Sequence, residues 1–444
     1  MAKRIHFLGI GGSGASAAAA IAEGQGFEVT GCDLQPHNEF TTQFKNSQLL
    51  VGHNPKHLHL SVHPGGVHTN ILVTNILVVT PAIFSLDPEN PELLAAKKKG
   101  IPIMTWQKFT GEYLTKGKFV IAVCGTHGKT TTTAMIAKIL EDNGLDPTVL
   151  LGAIVPKWGT NYRIPRQKVH DREYFIIEAD EFNDNFLHLK PDINVVTNIE
   201  MDHPEYFKDF EAVKKSFKKF LLQTKTTVVA NLTDSGVAEV VKVTMKQSGI
   251  QYLDYSKNEL GITLKIPGEF NKSNARAAFQ VGLLLGIDPR IIQKSLSGYP
   301  GVSRRFEYIG EYRGSKVYSD FGHHPTEIAK TMEAARQKFP KERIWLIYEP
   351  HMFTRTKALF DDFVKVFRQI PTDKIIITDI YPSREVDEGI VSSKQLAEAV
   401  GYDRLVYHSK NEPLSILKSQ IQKGDIVFFM GAGNIDKLAK ELAG

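Results

Sequence analysis

Residues 119–131 read FVIAVCGTHGKTT, an apolar run that ends in a glycine-rich turn. The run predicts a buried β-strand, and Thr131–Leu140 carries apolar residues at helical spacing. A glycine-rich turn between a strand and a helix directs backbone N–H groups and the positive end of the helix toward an anion. Lys129 offers a charge to terminal phosphates, and Thr130 offers a hydroxyl to Mg²⁺. The stretch therefore predicts nucleotide-dependent chemistry.

The spacing of this turn is shorter than in the common phosphate loop. That loop has four residues between its first glycine and Gly-Lys, whereas only Thr126 and His127 separate Gly125 from Gly128 here. The plain alternative is a glycine turn that joins a strand to a helix and binds nothing, but the flanking patterns favour a phosphate loop. The candidate ATP-binding residues are Gly125, Thr126, His127, Gly128, Lys129, Thr130 and Thr131.

Bulk composition places the chain among soluble globular proteins. Its 444 residues exceed one ordinary hydrophobic core, so two or three domains are expected. No run of eighteen apolar residues occurs, and the N-terminus leads into a strand and turn rather than a signal peptide, so we expect a cytoplasmic protein without a membrane partner. The net charge of +5 is modest and implies no nucleic acid partner.

Both cysteines are expected to be structural. Cys32 and Cys124 are too few for a disulfide framework or a cysteine-rich zinc site. Each ends a predicted strand, where a small buried residue fits.

The N-terminal segment carries a second glycine-rich turn. A strand at 4–8 is followed by GIGGSG at 9–14 and an alanine-rich helix, and Asp33 ends the next predicted strand. This pattern fits dinucleotide binding, but the same turn can receive any diphosphate, including that of a UDP-sugar. A nicotinamide-dependent oxidoreductase is therefore one alternative. The candidate diphosphate-binding residues are Gly9, Gly11, Gly12, Ser13, Gly14 and Asp33.

Acidic and histidine side chains follow two further predicted strands. Glu178-Ala179-Asp180-Glu181 comes after the apolar run 174–177, where a phosphate-loop enzyme keeps its second metal-binding element. The alternative is an acidic helix N-terminus stabilised by the helix dipole. Residues 198–203 follow the apolar run 193–197 and end in His203, which can bind a metal or orient a substrate carboxylate. The alternative is a histidine that only makes local hydrogen bonds, but its position near the glycine turn favours a function. The candidate metal ligands are Thr130, Glu178 and His203.

The remaining chain predicts a capped helix and a further α/β unit. Asn271 and Asn274 lie three residues apart in PGEFNKSNARAA, so both can face a base edge. From Ser303 onward, strands alternate with helices in a pattern typical of a mainly parallel sheet. Arg305 lies at this boundary, and an arginine there suits phosphate binding. We expect domains at 1–116, 117–302 and 303–444.

Taken in order, these motifs resemble the Mur ligases of peptidoglycan synthesis over nearly the whole chain. The motifs are GTHGKTT, EADE, TNIEMDH, PGEFNKSNARAA, GVSRRFE, SDFGHHPTE and EPHMFTRT. The resemblance implies an α/β protein of three domains: an N-terminal Rossmann-like domain for a UDP-sugar, a central P-loop ATPase with a mainly parallel sheet, and a C-terminal Rossmann-like domain for an amino acid.

The resemblance also implies an activity and its site. The enzyme would be an ATP-dependent carboxylate–amine ligase that uses Mg²⁺ and adds L-alanine to UDP-N-acetylmuramate through an acyl phosphate. Alternatives are addition of another amino acid or of a recycled peptide to the same nucleotide sugar, or nucleotide binding without catalysis. The implied catalytic residues are Lys129, Glu178, His203, Arg305 and Asp320. Asn271, Asn274, Arg305 and Asp320 would contact ATP, and His323, His351 and Arg355 would lie near the amino-acid site.

Three positions depart from the family pattern. The family usually has His where this chain has Phe270, Tyr where it has Phe321, and Arg where it has Met352. The last two leave the choice of amino acid open, because a phenol and a guanidinium can orient a carboxylate substrate. Some relatives also carry a carbamylated lysine after the Asp-His motif, where this chain has Lys214, Lys215 and Lys218.

Overall fold

The chain forms two compact units. The computed structural model describes residues 3–59, 61–63, 66–68, 74–166, 172–246, 249–383, 385–401, 403–409 and 412–444. The first unit consists of Met1–Ile199, Lys214–Asn258 and Ala277–Ile292, and the second of Glu200–Val213, Glu259–Arg276 and Gln293–Gly444. Among the helices of the described ranges, none combines the length and the apolar character needed to cross a bilayer.

The first unit begins with a five-stranded parallel sheet. Its segment contains β1 (Arg4–Leu8), β2 (Glu28–Asp33), β3 (Leu49–Val51), the hairpin β4 (Ser61–His63) and β5 (Gly66–His68), β6 (Ile76–Val79) and β7 (Ile103–Thr105). The sheet order is β3-β2-β1-β6-β7, with all neighbours parallel. The chain order reverses at β1, and ligands bind at the carboxyl ends of strands beside such a switch point. The predicted Rossmann-like N-terminal architecture is confirmed.

A seven-stranded sheet completes the first unit. Its strands are β8 (Phe119–Cys124), β9 (Thr148–Val155), β10 (Thr160–Arg163), β11 (Tyr174–Glu178), β12 (Ile193–Val196), β13 (Thr227–Ala230) and β14 (Gln251–Asp254). In the order β10-β9-β11-β8-β12-β13-β14, only β10 is antiparallel to its neighbour. Because β8 lies between β11 and β12, the polar residues that follow these two strands flank the glycine turn after β8.

The second unit contains a six-stranded sheet. Its strands are β15 (Glu307–Tyr312), β16 (Ser315–Asp320), β17 (Ile344–Tyr348), β18 (Lys374–Ile377), β19 (Leu405–Tyr407) and β20 (Ile426–Met430). In the order β15-β16-β20-β17-β18-β19, only β15 is antiparallel. The expected mainly parallel C-terminal unit is confirmed. The domain boundaries proposed from the sequence remain a prediction.

Fifteen α-helices connect the described strands. They are α1 (Ser13–Gly24), α2 (Ile83–Leu86), α3 (Pro91–Lys98), α4 (Trp106–Phe109), α5 (Lys129–Asp142), α6 (Phe210–Leu221), α7 (Ser235–Thr244), α8 (Glu269–Leu284), α9 (Pro289–Ser297), α10 (Pro325–Lys338), α11 (Phe353–Ala358), α12 (Phe360–Gln369), α13 (Ser393–Val400), α14 (Pro413–Gln420) and α15 (Ile435–Ala443). Short turns of 3-10 helix cover Asn46–Gln48, Pro55–His59 and Phe182–His188, and Thr110–Leu114 forms a short π-helix.

Local sequence explains where several helices begin. Asn90 accepts the amides of Glu92 and Leu93 at the start of α3, with Pro91 in the first turn. Gly128 has a φ of 84°, a left-handed conformation that suits glycine, and α5 begins at the next residue. The helix predicted from Thr131 therefore starts two residues earlier, at Lys129.

Side chains that point alternately to the two faces of the six-stranded sheet form a core on each face. On β17, Ile344, Leu346 and Tyr348 belong to one buried cluster, while Trp345 and Ile347 belong to the cluster on the other face. Successive strand residues point to opposite faces, so a nearly continuous apolar run fills both cores. The strand ends are thereby held in place, and the loops that follow them carry the polar residues described below.

Candidate functional site

The glycine turn after β8 packs closely against the end of β12. Gly125 has a φ of 131°, and a Cβ on this residue would collide with the Thr197 hydroxyl. Thr126 N donates to Asn198 O at 3.0 Å, and His127 N donates to Asn198 Oδ1 at 2.9 Å. These two amides therefore stabilise the turn itself. The first-turn amides of α5, which have no intrahelical acceptors, are the ones available to an anion.

Lys129 is fixed at the start of α5 by three acceptors. Its Nζ donates to Gly125 O at 2.7 Å and Thr126 O at 3.2 Å, and it lies 2.8 Å from Glu181 Oε2. Burial alone would lower the pKa of the Lys129 ammonium, but Glu181 and the neighbouring acids raise it above its usual value. The loop therefore carries a permanent positive charge.

Thr130 and Glu178, two of the predicted metal ligands, contact each other. Thr130 Oγ1 donates to Glu178 Oε1 at 3.0 Å, and Glu178 Oε2 accepts the amide of Gly152 at 2.7 Å. A hydroxyl and a carboxylate are oxygen ligands of the kind that Mg²⁺ prefers. The donor set of these two residues therefore fits the ion.

His203, the third predicted metal ligand, belongs to the second unit. Its Nδ1 lies 3.2 Å from Glu205 Oε1, and hydrogen bonding and charge from His203 lower the pKa of Glu205 to about 2 against the opposing effect of burial. Mg²⁺ favours oxygen over imidazole nitrogen. The role of His203 as a metal ligand stays a prediction.

Hydrogen bonds to the last two residues of β2 stabilise the N-terminal glycine turn. The amides of Gly9 and Ile10 donate to Cys32 O at 2.9 and 3.1 Å, and Gly11 N donates to Asp33 Oδ2 at 3.0 Å. Asp33 therefore supports the turn, a different task from the ribose contact that dinucleotide binding would give it. A Cβ on Gly14 would collide with the Trp106 ring, so α1 approaches α4 closely here.

Gly12 and Ser13 mark the start of α1. Gly12 is its N-cap, and Ser13 is its first residue. The first amides of a helix have no acceptors within it and form a natural diphosphate site. The predicted diphosphate-binding turn therefore has suitable geometry, and its ligand stays a prediction.

Two asparagines predicted to contact a base lie on one face of α8. Asn271 Nδ2 donates to Pro267 O at 2.6 Å, and Asn274 Nδ2 donates to Asn271 Oδ1 at 3.5 Å. Both residues are buried. The structure therefore brings the two amides together, and adenine contact stays a prediction.

Asp320, at the end of β16, organises the turn that follows the strand. Its carboxylate accepts the amides of Phe306 and Gly322, each at 2.8 Å. Burial raises the pKa of Asp320 above its usual value. Both oxygens thus accept backbone amides and hold the turn in place, and contact of Asp320 with ATP stays a prediction.

Arg305 lies against the ring of Phe321, the residue that stands where the family usually has tyrosine. The guanidinium carbons of Arg304 and Arg305 each lie 4.9 Å from the centroid of the Phe321 ring. Arg305 Nη1 also lies 3.9 Å from Glu327 Oε1. Phe321 therefore provides an aromatic contact for two cations in the absence of a phenol hydroxyl.

The three residues predicted near the amino-acid site form one cluster in the second unit. The ring centroids of His323 and His351 lie 5.8 Å apart, and Arg355 Nη1 lies 3.2 Å from His351 Nδ1. Arg355 Nη2 forms a buried ion pair with Asp202 Oδ1 at 3.2 Å. Burial lowers the pKa of His323 to about 3, so this imidazole is neutral at physiological pH.

Three residues of the site were not assigned roles from the sequence: Glu181, Asn198 and Asp202. Each lies inside a motif quoted above, and Asp202 is next to His203, which was assigned. For Asp202, burial alone would raise the pKa, but His203 and Arg355 hold it well below its usual range. The available signal was an acid or amide at the carboxyl end of a predicted strand.

A fixed lysine, a hydroxyl–carboxylate pair and a helix N-terminus at the edge of a mainly parallel sheet define a P-loop nucleotide-binding enzyme. The chain matches three profiles of one family: "Mur ligase family, catalytic domain" at residues 4–117, "Mur ligase middle domain" at 123–259 and "Mur ligase, glutamate ligase domain" at 304–433. The chain belongs to the Mur ligase family.

Individual relatives cover the full length of the chain. The UDP-N-acetylmuramate--L-alanine ligase of Acetivibrio thermocellus is 38% identical, covering 99% of this chain and 95% of that protein. The enzyme of the same name from Aquifex aeolicus is 35% identical over 99% of this chain and 97% of that protein. The solved structure of a UDP-N-acetylmuramate-alanine ligase from Thermotoga maritima superposes with a TM-score of 0.75 at 25% identity, covering 99% of this chain and 98% of that one. The three-domain α/β fold is thereby confirmed.

Proposed function

We propose that this chain joins L-alanine to UDP-N-acetylmuramate, with ATP as the phosphoryl donor, in peptidoglycan precursor synthesis. It is an ATP-dependent carboxylate–amine ligase. The observation that carries the proposal is the placement of Lys129, which three acceptors hold at the start of α5. A lysine at this position of a phosphate loop serves the transferred phosphoryl group, and we assign that role to Lys129.

The chemistry follows from the weakness of a carboxylate as an electrophile. A carboxylate oxygen of the sugar attacks the γ-phosphorus of ATP, the bond to the β,γ-bridging oxygen breaks, and ADP leaves. The amine of L-alanine then attacks the acyl carbon, the C–O bond to phosphate breaks, and a proton is lost from nitrogen. Lys129 stabilises the charge that develops on the transferring phosphoryl oxygens.

Mg²⁺ is the metal that we infer for this step. Thr130 and Glu178 would hold it, because their oxygen atoms already lie 3.0 Å apart. When bound, the ion neutralises charge on the phosphate oxygens. Contact of His203 with the metal or the substrate carboxylate is part of the same proposal.

The substrates are assigned to separate parts of the chain. We assign the UDP diphosphate to the turn 9–14 and the start of α1, because first-turn amides favour an anion. We assign adenine to Asn271 and Asn274, and ATP phosphate contact to Arg305. ATP, a UDP-sugar and a free amino acid are small water-soluble molecules of the cytoplasm. We therefore infer a cytoplasmic enzyme without a nucleic acid or membrane partner.

The amino acid is assigned to the cluster of His323, His351 and Arg355. Arg355 supplies a cation that can bind a carboxylate, and Asp202 fixes its orientation. Neutral His323 can accept a hydrogen bond from the amine. Met352 stands where the family usually has arginine, and it is only 2% exposed. This position therefore holds a packed apolar side chain and offers no cation to an acidic group of the substrate.

A substrate screen tests the proposal. The purified chain with Mg-ATP is offered UDP-N-acetylmuramate together with L-alanine, glycine, L-serine or a cell-wall tripeptide, and ADP release is measured for each. We expect release that requires the sugar and is fastest with L-alanine. Faster ADP release with the tripeptide than with L-alanine would support the alternative in which the enzyme adds a recycled peptide to the sugar. ATP turnover without the sugar would overturn the ligase proposal.

The same screen separates the remaining alternatives. Met352→Arg and Phe321→Tyr are assayed beside the unchanged chain, since these substitutions restore the family residues. Ligation that appears only in the variants would show that the chain itself binds nucleotide without catalysis. Tight NAD binding with no ATP binding would support the oxidoreductase alternative.

A further inference from the structure

The first sheet contains a buried cluster of four potential metal ligands. They are His6 on β1, Cys32 on β2, His57 in the 3-10 turn 55–59 and Glu92 in the first turn of α3. One ligand atom from each residue lies within 4.8 Å of the others. The ligase mechanism proposed above uses none of these side chains.

The distances within the cluster approach those of a tetrahedral zinc site. Glu92 oxygens lie 3.1 Å from His6 Nε2 and 2.8 Å from His57 Nδ1, and Cys32 Sγ lies 3.2 and 3.3 Å from the same carboxylate. Zinc bonds of about 2.0–2.3 Å place neighbouring ligand atoms roughly 3.3–3.8 Å apart. Small side-chain shifts would therefore admit the ion.

Further hydrogen bonds orient the proposed ligands. His6 Nδ1 lies 2.8 Å from Thr30 Oγ1, and when Nδ1 donates to this hydroxyl, Nε2 carries the lone pair that a metal needs. Asn54 N donates to Glu92 Oε1 at 2.7 Å. Partners of this kind accompany metal-binding histidines and carboxylates in established sites.

The surroundings of the cluster also favour a cation. The side chains of His6 and Glu92 are fully buried, and Cys32 belongs to an apolar cluster that includes Leu8, Leu77 and Leu93. A bound dication would compensate a thiolate and a carboxylate that are otherwise costly to bury together.

We propose that His6, Cys32, His57 and Glu92 bind one Zn²⁺ ion in a closed structural site. Binding converts the Cys32 thiol to a thiolate and releases its proton to solvent. The ion would join β1, β2, the 3-10 turn and α3. Because Cys32 O accepts the amides of Gly9 and Ile10, the site would also stiffen the N-terminal glycine turn.

Cobalt spectroscopy on the full-length chain tests this proposal. The protein is stripped with a chelator and titrated with Co²⁺, whose bond to a thiolate gives a charge-transfer band in the near ultraviolet. We expect the band to saturate at one Co²⁺ per chain and to disappear in Cys32→Ser. The matched control is Cys124→Ser, which removes the other of the two cysteines and should keep the band.

A second variant covers the case in which Cys32→Ser fails to fold. His57 is the most accessible of the four ligands, with 12% side-chain exposure, so His57→Gln is the milder change. We expect its Zn²⁺ affinity to fall at least tenfold in competition with a chromophoric chelator. Absence of stoichiometric Co²⁺ binding, a band unchanged in Cys32→Ser, or full Zn²⁺ affinity in His57→Gln would each overturn the proposal in favour of a hydrogen-bond network around Glu92.

Discussion

The ammonium of Lys129 lies 2.8 Å from a carboxylate oxygen of Glu181, and the side chains of the two residues are 13% and 3% exposed. Lys129 belongs to the phosphate loop, whereas Glu181 follows the neighbouring strand β11. The ion pair therefore holds the Lys129 ammonium in one place. It also makes the lysine part of the stability of the first unit.

Replacing Lys129 should impair both activity and stability. In Lys129→Met, we expect kcat/KM to fall by about 10²–10³-fold because a charge-stabilising donor is lost. Loss of the buried ion pair between Lys129 and Glu181 should reduce the free energy of unfolding by about 3–5 kcal/mol. In Lys129→Met/Glu181→Gln, stability should largely return while activity does not. Steady-state kinetics and urea unfolding separate the two effects, and joint recovery of both would contradict the assigned role.

Glu178→Gln should weaken the response to Mg²⁺. The amide retains the size of Glu178 but removes the charge beside the Thr130 hydroxyl, so we expect a higher Mg²⁺ concentration for half-maximal activity and a lower maximal rate. Glu173→Gln is the matched control. Glu173 lies just before the first residue of β11, whereas Glu178 is the last residue of that strand. Equal Mg²⁺ dependence in the two variants would count against Glu178 as a metal ligand.

Phe321→Leu should affect ATP more than the amino acid. The change removes the aromatic ring that both Arg304 and Arg305 approach, so Arg305 loses a contact worth about 0.5–2 kcal/mol. We expect the KM for ATP to rise severalfold in Phe321→Leu and to stay nearly constant in Phe321→Tyr. The idea fails if the tyrosine and leucine variants behave alike.

His323 should make the chain sensitive to mild acid. Its folded-state pKa of about 3 lies below the ordinary 6.5, so as pH falls through 6.5 the unfolded state takes up a proton that the folded state does not. Stability is therefore lost as pH falls, by about 2 kcal/mol between pH 7 and 5 for this one group. His323→Gln should remove that loss in urea unfolding, whereas His37→Gln, at an exposed site, should not. Parallel pH curves for the unchanged chain and His323→Gln would contradict the assignment.

The phosphate loop and its neighbours could be predicted because their signals are local. Buried parallel strands read as continuous apolar runs, and polar clusters end them, so the region from Phe119 to Thr131 and the acids after β11 were recognisable. Polar strands such as β15, none of whose residues is buried, lack such a run. They are set by pairing with a neighbour instead of by their own composition.

Contacts between distant residues could not be read from the sequence. Asp202 and Arg355 are separated by 153 positions, and Cys32 and Glu92 by 60. No local pattern predicts these pairs, because the topology of the sheets determines which strand ends meet. The order of the motifs identified the family, but only the three-dimensional structure shows which residues each charged side chain contacts.

Transfer of oxygen from the sugar carboxylate to phosphate tests the central claim most directly. UDP-N-acetylmuramate labelled with ¹⁸O in its carboxylate is incubated with the chain, Mg-ATP and L-alanine, and the phosphate is analysed by mass spectrometry. An acyl phosphate predicts one ¹⁸O in each phosphate released and an L-alanyl product formed in equal amount. Unlabelled phosphate, or phosphate released without the sugar, would contradict the account.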